Sequence, residues 1–474
     1  MVDPITRDVI RSSLEYIAEE MGIVLRNSAY SPNIKERMDH SCALFDSEAR
    51  MLAHAEHIPV HLGAMPFTVR EALRVIDELY DGDMILVNDP FLGGTHLPDL
   101  TLIAPVFYDG DLVAFVANRA HHSDIGGSVP GSMPGCSREI FEEGLIIPPV
   151  KLVRRGRIDG DLLRMILANV RTPDIRKADI MAQVAANMRG IRRVREIIDK
   201  YGPDVFAEAA DAILEYTERL TRAEIAKMPK GVAEAEDYLD DGGALWDKPI
   251  RIHVRVTVSR GSIIFDFSKS DRQAPGSVNA PKSVTMSASY FVLKCIIDPS
   301  IPSNDGTYRP LKVITRPGTI VDALKPCGVA GGNVETSQRI VDALFKALSR
   351  IMPERIPAAS QGTMNNVSLG GIDPRNGKPF TFYETIGGGF GARLGMDGVD
   401  GVHSHMTNTM NTPVEEIERR YPIMILRYAL REDSCGAGRW RGGLGIERVY
   451  KICAPMRLSL LGDRQKIPPW GLLG

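Results

Sequence analysis

Apolar residues recur at helical spacing through Val9, Leu14, Ile17, Met21, Val24 and Leu25, so the chain opens on a helix from Pro4 to Ala29 with one face turned to a core. Pro4 suits the first turn, where a missing N–H costs nothing, and Asp8 lies near it. After the Ser31-Pro32 break the pattern changes to short strand-like runs: Cys42–Phe45, Met84–Val87, Leu100–Ala104 and Leu112–Ala117. Each is bounded by Gly, Asp or Pro, the usual strand punctuation. Pro66–Leu79 reads as a helix between them. Asp109-Gly110 is a tight-turn signal that folds the last two runs into an antiparallel hairpin.

From Pro130 to Pro149 proline and glycine predict a long loop. Ile180–Lys227 then reads as two consecutive helices parted at Gly202-Pro203, with Arg189, Arg192, Arg193 and Arg195 clustered on the first. The composition shifts at Gly231, after which Ile250–Ser259 and Ser262–Ser268 alternate as two antiparallel strands joined at Arg260-Gly261. Gly331-Gly332-Asn333 precedes a further helical pattern through Ile340, Val341, Leu344, Phe345 and Leu348. There Asn333 is a candidate cap, and the first amides are a weak candidate for holding an anion. The pattern as a whole predicts a multi-layer α/β protein of mixed α+β character, with short strands, long helices and Gly-rich loops. Three regions are expected: an N-terminal metal-binding region (1–160), a helical middle (161–230) and a β-rich C-terminal α/β region (231–474).

A chain of 474 residues can bury several cores, so no disulfide staples are needed. The six cysteines (Cys42, Cys136, Cys295, Cys327, Cys435, Cys453) form no CxxC and read as reduced thiols. Lys and Arg number 57 against 60 Asp and Glu, with no basic stripe interleaved with aromatics, which argues against nucleic acid as a partner. Charges at Asp3, Arg7, Asp8, Arg11 and Glu15 exclude a signal peptide or membrane span at the start, so a cytoplasmic location is expected. No Gly-x-Ser-x-Gly elbow is present, and Gly387–Gly395 lacks the Lys-Ser/Thr of a phosphate loop and reads as structural turns.

The chemistry concentrates in Asn88-Asp-Pro-Phe-Leu-Gly-Gly-Thr-His96-Leu-Pro-Asp99 and, one hairpin later, Asn118-Arg-Ala-His121-His122-Ser-Asp124. Antiparallel pairing brings His96, Asp99 and His121 side by side. Mixed imidazole and carboxylate donors suit Zn²⁺, Mn²⁺ or Fe²⁺ and leave positions open for water or substrate. Asp89 or Asp124 would orient the imidazoles as outer partners, and His122 or Asp124 would take or relay a proton. Asp39, in Arg37-Met-Asp39-His40-Ser41, is either a further ligand or a turn residue capping an amide. His57 and His61 have the four-residue spacing of a ligand pair. Pro59 between them argues against a metal-binding helix, and with His54 they read better as pocket lining.

Several stretches together resemble the hydantoinase B family: Asp3–Val9, His57–Met65, Asn88–Phe91, Gly94–Asp99, His121–Gly127, Asp266-Phe267, Gly276–Pro281, Gly332–Ser337 and His405–Glu415. The family includes the B-type subunits of N-methylhydantoinase, 5-oxoprolinase, caprolactamase and the acetone and acetophenone carboxylases. The resemblance implies an ATP-dependent cyclic amide hydrolase subunit. A separate hydantoinase A-like subunit, joined to it in a heterotetramer, would bind ATP-Mg²⁺ and phosphorylate a hydantoin, 5-oxoproline or other lactam. This chain would then hold the metal and the water that opens the ring. By the same resemblance the ligands are Asp39, His96, Asp99 and His121. An acetone-type carboxylase and a non-catalytic assembly subunit are the alternative readings. Family members usually continue past the Pro-Pro-Trp-Gly segment into a Gly-rich tail, whereas this sequence stops at Gly474.

Overall fold

The computed structural model describes residues 2–55, 57–243 and 247–472, so the chain end at Gly474 lies outside the described residues. Helix α1 (Pro4–Ser28) and the short α2 (Pro32–Lys35) lead into β1 (His40–Asp46), β2 (Met51–Ala55), α3 (Ala64–Val75), β3 (Met84–Val87), β4 (Asp99–Tyr108), β5 (Asp111–His121), β6 (Val150–Arg154) and β7 (Arg157–Ile158). These strands form one sheet in the order β2-β1-β5-β4-β3-β6-β7. Helices α4 (Gly160–Ala168), α5 (Pro173–Tyr201) and α6 (Pro203–Lys227) follow.

A second sheet, ordered β11-β10-β9-β8, contains β8 (Gly231–Leu239), β9 (Ile250–Ser259), β10 (Ser262–Asp266) and, beyond α7 (Lys282–Ile296) and α8 (Asp305–Tyr308), β11 (Leu311–Ile314). Helix α9 (Ser337–Ser349) precedes β12 (Asn366–Asp373) and β13 (Lys378–Thr385). After α10 (Val414–Arg420) come β14 (Ile423–Leu430), β15 (Ile446–Ile452) and β16 (Met456–Leu461), with β13-β12-β16 and β14-β15 forming the remaining sheets. With 34% helix and 25% strand, this is a mixed α/β protein. Among the described residues no helix is long and apolar enough to cross a membrane.

Local chemistry explains where the ends differ from the sequence pattern. Helix α1 is capped by Asp3, whose Oδ1 accepts from the Ile5 and Thr6 amides at 3.0 Å. Helix α3 stops at Val75, short of Leu79, because Asp77 and Glu78 would place negative charge on the negative end of the helix dipole. Helix α5 starts at Pro173, seven residues before Ile180, with proline in its first turn and Asp174 beside it. The β4–β5 hairpin turns at Asp109 and Gly110, both at positive φ (50° and 95°), as a twisted two-residue turn requires.

The large sheet is covered on both faces, which is why its strands read as almost continuous apolar runs. Cys42, Leu44, Leu86, Leu102, Ala104, Ala114 and Val116 pack with the apolar residues of α1, α5 and α6. Their neighbours Ala43, Phe45, Ile85, Val87, Ile103, Phe115 and Ala117 pack instead with residues of β8–β10, α7 and α9. The helical middle thus covers one face and the C-terminal part the other. We therefore propose that the three regions 1–160, 161–230 and 231–474 are segments of one body sharing cores.

Candidate metal centre

Three neighbouring strands of the large sheet, β1, β5 and β4, bring their chemistry to one edge. Asp99 begins β4, His121 ends β5, and the hairpin register sets them directly opposite each other. Asp39 immediately precedes β1, and its carbonyl accepts from the His121 amide at 3.0 Å. His96 sits in the turn before Asp99, whose amide donates to the His96 carbonyl at 3.1 Å. Ligand atoms of His96, Asp99 and His121 all lie within 4.8 Å of one another, and all three residues are buried. Met38, next to Asp39, is held at φ 57°, a left-handed conformation uncommon outside glycine.

Asp99 is the hub. Its Oδ2 lies 3.1 Å from His96 Nδ1 and 3.5 Å from His61 Nε2, while Oδ1 lies 3.3 Å from His121 Nδ1. Burial pushes the Asp99 carboxyl up, but the His96 charge and hydrogen bonds from His121, His61 and His96 outweigh it and hold it well below the ordinary carboxylate range. Burial in turn pushes the His121 and His61 imidazoles down, against the pull of the carboxylates. An ionised Asp99 carboxylate beside the depressed His121 and His61 imidazoles is the kind of donor set that binds a cation. His96 Nε2 and His121 Nε2 are buried without a hydrogen-bond partner. The donor set and these unsatisfied nitrogens fit a divalent ion of the Zn²⁺ or Mn²⁺ kind.

Asp39 borders the cluster. Its Oδ2 is 3.4 Å from Asn33 Nδ2 and 3.9 Å from Arg37 Nη1, and its charge bears on both His121 and His61. His122 and Asp124 lie elsewhere. Successive strand side chains point to opposite faces, so His121 and His122 part company. His122 Nε2 meets Gln183 Oε1 of α5 at 3.0 Å. Asp124 accepts from the Gly126, Gly131 and Arg171 amides and from Arg171 Nη1, pinning a loop to the start of the helical middle. Asp89 accepts from the Phe91 amide and faces Lys325, so neither it nor Asp124 orients an imidazole of the cluster.

His61 reaches the centre from a tight turn (Pro59–His61) rather than a helix, with Nδ1 2.9 Å from Ser41 Oγ and Nε2 toward Asp99. His54 is buried beyond it, and His57 pairs with Glu19 at 3.3 Å. Three further residues, two of them inside the motifs but given no role there, complete the surroundings. Tyr383 of β13 stacks on His121 with ring centroids 4.6 Å apart and planes at 12°. Arg37 donates to Thr385 and Thr409, tying the Asp39 segment to the C-terminal part. Thr95 Oγ1 donates to Asp99 Oδ2. If His61 fixes the Asp99 carboxylate, His61→Ala weakens metal affinity by about 10–100-fold, measured by chelator competition, while the fold is kept.

His122 makes a separate, pH-dependent contribution. Burial first, then the charge of Arg176, pushes its imidazole from 6.5 down to about 4. Between those values the unfolded chain takes up a proton that the folded chain refuses, so stability falls as pH drops through this window. His122→Gln should lose about 2 kcal/mol less than the wild-type chain between pH 7.5 and pH 5 in urea unfolding. Parallel pH curves would contradict this.

Residues 3–474 match the model of the hydantoinase B/oxoprolinase family. The chain belongs to that family. An uncharacterized protein of Methanocaldococcus jannaschii is 50% identical over 99% of this chain and 82% of its own length. The 5-oxoprolinase of Dictyostelium discoideum is 37% identical across the whole chain, which spans only 37% of that protein. The B component of a putative D-/L-hydantoinase from a Pseudomonas species is 33% identical over 99% of this chain and 81% of its own. Among solved structures, the ATP-dependent caprolactamase from Pseudomonas jessenii superposes with a TM-score of 0.89 at 31% identity, covering 95% of this chain and 79% of that one. An acetone carboxylase superposes at 0.92 with 21% identity over 100% and 65%, a likeness of fold. The hydantoinase B family thus contains proteins named for opening cyclic amides with ATP.

Proposed function

We propose that this chain is the metal-holding B-type subunit of an ATP-dependent cyclic amide hydrolase, acting on a hydantoin, 5-oxoproline or other lactam whose oxygen an A-type subunit has phosphorylated. The convergence of His96, Asp99 and His121 at one buried edge carries the reading. Asp39 is proposed as the fourth ligand. A divalent ion there supplies Lewis acidity and lowers the pKa of a water from 15.7 toward about 7. Asp99 supplies the ligand charge, His61 fixes Asp99, and Tyr383 closes one side of His121 and keeps bulk water from it. An unactivated amide is a poor electrophile, so phosphorylation by the partner makes the ring carbon attackable. The chain is proposed to work in the cytoplasm, where its six free cysteines stay reduced, in a heterotetramer with an A-type subunit carrying ATP-Mg²⁺.

The test is reconstitution with an A-type subunit, following ATP consumption and ring opening on hydantoin, 5-oxoproline and caprolactam, with a ketone plus bicarbonate as the carboxylase arm. ATP-coupled opening of one cyclic amide is expected. Activity confined to the ketone arm would replace the hydrolase by a carboxylase, and inactivity throughout would leave the assembly-subunit reading.

A further inference from the structure

We infer that Glu335, set in a one-turn widening of the backbone before α9, is the acid that protonates the departing ring nitrogen in the reaction proposed above. Gly332–Thr336 forms a single π-turn rather than a capped helix start, a feature often found at functional sites. The Gly332 and Asn333 amides donate to the Ser277 and Val329 carbonyls, so they are not free to cradle an anion. A side chain at Gly332 would place its Cβ 1.8 Å from the Asn279 carbonyl oxygen, so only glycine lets the segment lie here. The turn aims Glu335 inward at 2% exposure.

Glu335 Oε1 accepts from Asn366 Nδ2 at 2.9 Å and from the Met364 amide at 3.3 Å, but Oε2 has no partner. The Asn333 Oδ1 and Gln338 Oε1 atoms on the same segment are also buried without partners. An acceptor left open at Oε2 suits a ligand that offers an N–H group, as a lactam or hydantoin does. Asn366 Oδ1 accepts from the Tyr383 hydroxyl at 2.8 Å, and Tyr383 stacks on His121. Glu335 is therefore joined to the metal centre through two side chains. Asn366 also lines a cleft of about 2,020 Å³ between the two Gly-rich loops. Arg339, one turn on, is committed to Asp342 and Asp463 and leaves Glu335 without an ion pair among the described residues. Burial first, then the Asp463 charge, pushes the Glu335 carboxyl well above its ordinary range, against the pull of a Thr363 hydrogen bond, so it holds its proton more tightly than a free carboxyl does.

Ring opening needs that proton. Adding water to the phosphorylated, N-protonated amide forms a C–O bond, moves the C=N pair onto nitrogen and releases one proton. The carbon then carries hydroxyl, phosphate and amine. If phosphate leaves, the lactam is regenerated and ATP is wasted. If nitrogen takes the Glu335 proton, the C–N pair withdraws onto it and the hydroxyl pair closes to the carbonyl. The hydroxyl proton returns to the Glu335 carboxylate, leaving an acyl phosphate that a second water hydrolyses.

The test uses the complex with its A-type subunit and compares wild type with Glu335→Gln. Ring opening of caprolactam should fall by about 10²–10⁴-fold, the usual share of a general acid. ATP consumed per ring opened should rise at least tenfold at unchanged metal content. Hydantoin, whose departing nitrogen is less basic, should suffer less. If the amide variant does not fold, Glu335→Asp, with its acid drawn back by one methylene, should show the same bias between substrates. An unchanged ATP-to-product ratio, or equal slowing of both substrates, overturns the inference. A wild-type complex that opens no ring overturns the function proposed above instead.

Discussion

Replacing Asp99 by Asn is expected to abolish ATP-coupled ring opening, by about 10³-fold or more. The carboxylate meets all three imidazoles of the centre at 3.1–3.5 Å, so the change removes a ligand and the anion that organises the others. Several kcal/mol of transition-state stabilisation depends on the ion, and each 1.36 kcal/mol is worth about a factor of ten. Asparagine keeps the shape and the Thr95 contact, so the fold should survive. ATP turnover belongs to the partner and should persist, uncoupled from product. Measuring both rates on one preparation checks this; ring opening within tenfold of wild type would remove Asp99 from the centre.

The largest stability effect is expected at Arg339. Its guanidinium is fully buried, donating to Asp463 at 2.6 Å, Asp342 at 3.3 Å and the Gly362 carbonyl at 3.2 Å. Asp342 also holds His405 at 2.9 Å and Arg464 at 2.8 Å, so one network ties α9 to the segments after β13 and β16. Arg339→Ala strands buried carboxylates and leaves a cavity, which should cost about 3–5 kcal/mol in urea unfolding. Asp463 can take up a proton when its partner is gone, so the loss should shrink toward acid pH. A loss below about 1 kcal/mol would mean that Arg464 alone satisfies the network.

How much of the site is legible in the sequence depends on whether the signal is local. The Asp109-Gly110 turn and the two strands beside it are enough to place Asp99 against His121. The parting of His121 and His122 is legible too, because neighbours on a strand cannot face one side, although adjacency in the motif suggests a single site. Helix α7 gives no clear signal because Ser283, Thr285, Ser287 and Ser289 alternate with its apolar positions and are buried with them, leaving little contrast between faces. Tyr383 reaches the centre from a segment more than 200 residues away, and Glu335 is linked to it only through Asn366, so no spacing rule connects them. Pro59 argues correctly against a helix at His57–His61, but a tight turn delivers His61 to Asp99 all the same.

The most direct test of the account is elemental analysis of wild type and His121→Ala, purified without added metal. The account predicts close to one Zn or Mn per wild-type chain and its loss in the variant. A metal-free wild type that does not take up either ion on addition, or a variant that keeps the ion in full, would contradict it.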